Sequence, residues 1–343
     1  MEQRGQFTRE EIYSQPAAWS AALEALEPHR NDLLRFFQKG EYAQTIFSGC
    51  GSTYYLSLAA AALFQEMGAG VARAFPASEL WFYPNASYPG KGRVLMVAVS
   101  RSGETTETLR MCEAFKASSR GDLLTLTCYA DCALAKMGDI NLVFPSGAEQ
   151  SVAQTRAFST LYLATVALAA LWTGKDALYR SLEKLPAAGS RLLGQYGSLA
   201  GDTGRDMNLD RFYFLGSGPR NGLACELNLK MKEMTLSFSE AFHFMEFRHG
   251  PKSMITPSTL VVGLVSQVNT QPERAVLNDI RLLGGRVLTL AEENADVVFT
   301  SNVDEAIRNV LYLPVGQVLA FERAMAKGLN PDRPTHLDTV VKL

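Results

Sequence analysis

Residues 94–105 read VLMVAVSRSGET: six consecutive apolar residues, Val94 to Val99, run straight into Ser100, Arg101, Ser102, Gly103, Glu104 and Thr105. An apolar run without alternation marks a strand buried on both faces, the habit of a parallel sheet covered by helices. The stretch from about Thr105 to Lys116 has helical spacing, so the loop delivers its backbone N–H groups to the positive end of a helix dipole. Ser100, Ser102 and Thr105 add hydroxyl donors, and Gly103 lets the backbone approach a ligand closely. These are the parts of a phosphate cradle. The plainer alternative is a Ser/Thr cap with a nearby glutamate, which does not call for three hydroxyls and a glycine within six residues.

The strand–loop–helix unit repeats on both sides of this stretch. Before it, Thr45 to Phe47 leads through Ser48 to Thr53 into a helical pattern over Tyr54 to Met67. That loop lacks the Gly-x-Gly-x-x-Gly spacing and following acidic residue of a dinucleotide site. After it, strands are expected at 123–129 and 140–144, and an apolar helix at 157–171. A second cycle follows, with strands at 212–215, 259–265, 285–290 and 297–300. Its Leu264-Val265-Ser266-Gln267 echoes Ala98-Val99-Ser100-Arg101, but no glycine follows Gln267, so this copy is expected to have lost its phosphate loop. The reading is α/β, with two halves from a duplication: an N-terminal helical segment over 1–40, a first half over 41–175 and a second with its tail over 206–343. Residues 176–205 are expected to connect them as a helix and a polar loop from Gly194 to Gly204.

Composition narrows the function class. Nearly half of the 343 residues are apolar and the formal net charge is −2, so no global field draws nucleic acid, and Arg211, Arg220, Lys230 and Lys232 are too dispersed to form a basic tract. The longest apolar stretch, 161–172, is too short to span a bilayer, and the N-terminus has no apolar signal core. Five cysteines without a CxxC pair suit reduced thiols in the cytoplasm, and Cys128 and Cys132 have no neighbouring partners to complete a metal site. No metal or other cofactor is expected, and no nucleic-acid or membrane partner.

A second group of candidates lies at Lys230 and Glu233, three apart on a helical pattern, followed by Glu240, Glu246 and His249. Seen alone these read equally as a solvated ion-pair face and a loop histidine.

Together with 100–105, the stretches EQSVAQTRAF (149–158), ACELNLKMKE (224–233), EAF (240–242), EFRHGP (246–251) and NPDRP (330–334) resemble the sugar isomerase (SIS) domain family. Over both halves the chain is similar to the isomerase portion of the glucosamine-6-phosphate synthases. The resemblance implies two tandem SIS domains, each a flavodoxin-like three-layer sandwich, in a homodimer with shared active sites. It implies that Ser100, Arg101, Ser102, Thr105, Thr53 and Ser52 hold a sugar phosphate, and that Val152 and Gln154 touch the substrate. Glu233 would shuttle a proton between C1 and C2, His249 would assist ring opening, and Lys230 would contact the substrate near Glu233, holding that carboxylate ionised or stabilising the enediolate oxygen. The implied partner is a phosphorylated sugar or amino-sugar. The implied activity is deamination, deglycation of an amine-linked sugar phosphate, or aldose–ketose isomerisation. The rival from another class is a phosphosugar-binding sensor without turnover.

Departures from the family pattern bound these expectations. No glutaminase domain or N-terminal cysteine precedes the first half, so glutamine is not expected as an ammonia source within this chain. Thr339 stands where the family's tail lysine falls, and Lys342 lies three residues on. Arg101 replaces an amide, which leaves two orientations open: toward the phosphate or toward solvent.

Overall fold

The computed structural model describes residues 3–88 and 91–343 and contains two compact units. One comprises residues 17–149, 156–183 and 338–343; the other comprises the chain up to Pro16, residues 150–155 and residues 184–337. The units therefore exchange short segments: the start of the chain and residues 150–155 go with the second half, and the last six residues go with the first. This differs from the consecutive partition expected from the order of strands.

In the first unit, strands β1 (Tyr42–Gly49), β2 (Ala72–Pro76), β3 (Arg93–Val99), β4 (Gly121–Thr127) and β5 (Ile140–Val143) form one parallel sheet. Its order is β2-β1-β3-β4-β5. Both faces are buried, as the apolar runs require. Ile46, Met96, Ala98 and Leu123 pack with Ala77, Leu80, Met111, Cys112 and Phe115 from helices Ala77–Phe82 and Thr106–Ala117. On the opposite face Phe47 meets Phe64 of helix Ser52–Glu66 edge-on at 4.7 Å, and Phe64 meets Trp172 of helix Arg156–Trp172. Each such fully buried ring stabilises the sheet by about 1.5–3 kcal/mol.

The second unit repeats the plan with β6 (Arg211–Leu215), β7 (Phe238–Phe242), β8 (Thr259–Leu264), β9 (Arg286–Ala291) and β10 (Val297–Val298). All pairings are parallel and the order is β7-β6-β8-β9-β10. Numbered within each unit, both sheets have the 2-1-3-4-5 order of flavodoxin-like folds. Tyr213, Leu215 and Val261 pack against Val276, Leu277 and Ile280 of helix Thr270–Leu282. Across the sheet, Arg323 of helix Leu313–Ala326 lies over the Phe212 ring.

Two local expectations are corrected. The second strand of each sheet, β2 (ARAFP) and β7 (FSEAF), has no counterpart in the sequence reading, because each is a short, partly exposed edge strand without a buried apolar run. Residues 194–204 are not a polar loop; they belong to one continuous helix, Leu185–Arg205. Its glycines misled the pattern, and Gly204 has a tertiary reason: a Cβ there would stand 2.5 Å from the Leu319 carbonyl oxygen of the adjoining helix. Among the described residues no helix is long and apolar enough to cross a membrane.

Candidate functional site

In the first sheet β1 and β3 are neighbours, with Ser48 paired to Ala98, but their connections leave toward opposite edges. The loops after them diverge and open a crevice at this switch point, where open α/β sheets receive ligands. Ser52 and Thr53 follow β1, and Ser100 to Thr105 follow β3, so the topology brings the predicted phosphate residues to one place.

The β3 loop is organised by its own hydroxyls. Ser100 Oγ accepts the Gly103 N–H at 3.1 Å and Ser102 Oγ accepts the Glu104 N–H at 3.2 Å, which leaves each hydroxyl proton able to donate. Glu104 Oε1 accepts the Ala133 N–H at 2.7 Å. Thr105 is the N-cap residue of helix Thr106–Ala117, yet its side chain makes no capping bond. Gly103 is required twice over: its φ is +67°, and a Cβ would lie 2.1 Å from Cys132 Sγ. In the β1 loop, Thr53 Oγ1 accepts the Cys50 N–H and donates to the Cys50 carbonyl, both at 2.9 Å, so its proton closes its own turn.

Arg101 does not point to solvent. It is buried, with Nη1 3.3 Å from Glu149 Oε2, itself fully buried, and Nη2 donating to the Thr339 carbonyl at 3.2 Å. An isolated buried cation is costly, and Glu149 supplies compensating charge to Arg101.

In the equivalent loop of the second sheet the backbone amides are bonded by carboxylates of the chain itself. Ser266, directly after β8, accepts the Asn269 N–H on Oγ at 2.8 Å, the same i to i+3 bond that Ser100 makes. The next two amides, of Gln267 and Val268, donate to the Glu305 carboxylate at 2.9 and 3.2 Å. Arg220, from the loop-to-helix turn after β6, holds Glu305 at 2.8 Å and lies 3.8 Å from Glu273. Glu273 accepts the Ser266 N–H at 2.6 Å; burial pushes its carboxyl up, against the pull of that bond and of Arg220. The anion position of this loop is filled by the chain's own carboxylate.

The second unit instead carries a charged cluster on helix Pro219–Thr235. Glu226, Lys230 and Glu233 are spaced i, i+4 and i+7 and share one face. Lys230 is fully buried, with Nζ 2.5 Å from Glu233 Oε2 and 3.3 Å from Glu226 Oε1. Burial by itself lowers the lysine pKa, but the charges of Glu226 and then Glu233 outweigh it and hold the value above its ordinary one. Lys230 is thus an ammonium shared by two carboxylates. Glu226 is wholly buried, whereas the Glu233 side chain keeps 19% of its surface exposed. Of the two, Glu233 is the one a substrate can reach. Glu226 was missed by sequence reasoning, although its i, i+4 spacing to Lys230 was the available signal.

The remaining candidates are dispersed. His249 is exposed on the loop after β7, and Glu240 is half-buried on β7 itself. Val152 and Gln154 are half-buried in the irregular segment 150–155, where the Val152 N–H donates to the Asp332 carbonyl at 2.9 Å.

Residues 42–171 match the SIS domain family. Over 96% of its length the chain is 28% identical to the isomerizing glutamine–fructose-6-phosphate aminotransferase of Pectobacterium atrosepticum, and it spans 58% of that protein's length. Among solved structures it is similar to glucosamine-6-phosphate deaminase from Thermotoga maritima, with 28% identity and a TM-score of 0.76, covering 94% of this chain and 100% of that one. Tagatose-6-phosphate ketose/aldose isomerase from Escherichia coli shares the fold at a TM-score of 0.85 and 23% identity, over 95% of this chain and 94% of that one.

Proposed function

Residues 42–171 being a SIS domain, and the chain being homologous to the isomerase portion of the isomerizing aminotransferases, we propose that it is a phosphosugar isomerase or deaminase acting on a hexose or amino-sugar 6-phosphate. The observation that carries this reading is the buried ammonium of Lys230 between two carboxylates, of which Glu233 alone is reachable.

In this reading the hydroxyls of Ser100, Ser102 and Thr105 and the neighbouring backbone N–H groups hold the phosphate. The sugar reacts as its open chain, in which a C–H beside the carbonyl is acidic. Glu233 takes the proton from C2 of the aldose, electrons move onto the carbonyl oxygen to form an enediolate, the proton of the C2 hydroxyl passes to O1, and the same carboxylic acid returns its proton to C1 as the C2 carbonyl forms. Lys230, bonded to Glu233 Oε2, holds that carboxylate in place for the transfer. With an amine at C2 the same transfer yields a ketimine, which water hydrolyses to the ketose and ammonia. With an amine linked to the sugar phosphate, the corresponding hydrolysis would release that amine. His249, exposed on its loop, would assist ring opening in the site of a neighbouring copy in a homodimer. Thr53 and Ser52 would shape the crevice floor beside the phosphate.

The test is proton exchange. The protein is incubated in D₂O with fructose, glucose, tagatose and glucosamine 6-phosphates while C1 and C2 are followed by NMR. Deuterium incorporation is expected for at least one, and Glu233→Gln should abolish it while retaining thermal stabilisation by that sugar. Stabilisation without exchange in the unaltered protein would make the chain a phosphosugar sensor instead.

A further inference from the structure

Helix Pro219–Thr235, which carries Glu226, Lys230 and Glu233, stops two residues after Glu233. Helices commonly end on a glycine in the left-handed region. Here Leu236 takes that place, with φ +50° and ψ +34°, and its N–H donates to the Lys232 carbonyl at 3.0 Å. A leucine is strained in this conformation, because its Cβ crowds the following carbonyl oxygen. Its side chain is 57% exposed, so burial does not hold it there.

What holds it is Lys327, the residue that follows helix Leu313–Ala326. Its Nζ donates to the Thr235 carbonyl at 2.5 Å and lies 3.4 Å from both the Leu236 carbonyl oxygen and Ser237 Oγ. An ammonium has three protons, and each finds an oxygen of the same helix end. Burial and then the charge of Arg323 press the Lys327 pKa down, and the helix-end carbonyls, the negative pole of the helix, offset that pressure. Thr235 closes the last turn from within: its hydroxyl donates to the Met231 carbonyl and accepts the Ser237 N–H at 3.2 Å. The two helices also fit closely further back, where a Cβ on Gly316 would stand 2.7 Å from Leu227 Cδ2. Helix Leu313–Ala326 and the lysine after it thus grip the charged helix at two points.

We infer that Lys327 is a positioning residue: it fixes where the helix ends, and so where Glu233, in the last turn, presents its carboxylate. The inference rests on the phosphosugar reading above, in which Glu233 moves the proton. Backbone strain persists only where the surroundings over-determine it, and it gathers at functional sites. A proton transfer calls for such a device, since a small displacement of the base slows the reaction far more than it weakens binding.

The experiment measures two quantities on the full chain. One is the rate of deuterium exchange at C1 and C2 in saturating fructose 6-phosphate or glucosamine 6-phosphate; the other is the affinity for the same sugar phosphate by calorimetry. Lys327→Met removes the ammonium and keeps the length of the side chain. It should slow exchange about tenfold or more, the order expected for a displaced base, and leave the affinity unchanged. Lys327→Arg keeps a charged donor and should recover most of the rate. Leu236→Gly relieves the strain, so the double variant Lys327→Met/Leu236→Gly should regain the melting temperature lost in Lys327→Met without regaining the rate. An unaltered rate in Lys327→Met, a rate that returns with the melting temperature in the double variant, or equal losses of rate and affinity would overturn the positioning role alone. Absence of exchange in the unaltered protein with either sugar phosphate would instead remove the functional reading, and this inference with it.

Discussion

Arg101 donates from Nη2 to the carbonyl oxygen of Thr339 at 3.2 Å, which ties the loop after β3 to the last residues of the chain. The contact does not stand alone. The Thr106 N–H donates to the Val341 carbonyl at 3.3 Å, and the Leu343 N–H donates to Thr106 Oγ1 at 3.2 Å. The tail thus lies on the first turn of the helix that follows the loop, and Thr339 contributes its backbone where the family pattern has a lysine side chain.

Arg101→Gln should loosen this arrangement and leave the buried Glu149 without its arginine. Removing one partner of a buried ion pair costs about 3 kcal/mol. The expected result is a lower urea midpoint together with faster removal of residues 338–343 by carboxypeptidase. An unchanged trimming rate would show that Arg101 does not retain the tail.

Glu226→Gln tests how the charged cluster shares its proton affinity. With Glu226 neutral, Lys230 loses the larger of the two charges that hold its pKa above the ordinary value. The exchange rate should fall about tenfold or more, and the basic limb of its pH profile should move to lower pH. Stability carries a matching signature. The folded Lys230 pKa lies above the ordinary 10.5, so its stabilising contribution is complete below that pH and is lost as pH rises through the folded value. Glu226→Gln should shrink this alkaline loss, which pH-dependent denaturation would measure. An identical alkaline limb in both proteins would contradict the charge sharing.

Glu305→Ala should convert the closed loop of the second sheet into an anion site. It frees the amides of Gln267 and Val268 and leaves Arg220 beside Glu273 alone. The variant should lose about 1–3 kcal/mol, and millimolar phosphate should raise its melting temperature more than that of the unaltered protein. Glu305→Gln retains an acceptor oxygen and should respond less. Equal phosphate shifts in all three proteins would show that the carboxylate does not occupy an anion position.

The features legible in the chain are those written in local periodicity. Continuous apolar runs identified eight of the ten strands among the described residues as strands of a parallel sheet, because a strand covered on both faces does not alternate. Strands β2 and β7 escaped notice because ARAFP and FSEAF hold no continuous apolar run. Helix Leu185–Arg205 escaped because its glycines answer to a facing helix distant in sequence.

The same division runs through the candidate site. Lys230 and Glu233 are neighbours by helical spacing, and Ser100 to Thr105 form one loop, so residue order alone placed each group. Arg101 could be named but not aimed: its direction depends on Glu149, 48 residues away, and on Thr339, 238 residues away. Glu305 lies 38 residues from the amide of Gln267 that it fills, and Glu11 lies 139 residues from that of Gln150. The sequence by itself determined the sheet type, the loop and the charged helix, since these depend on neighbours within a few turns. Which charges are neutralised, which loop stays open and what holds the irregular segment were decided only by tertiary structure, because burial makes each buried polar group find a partner wherever the fold brings one.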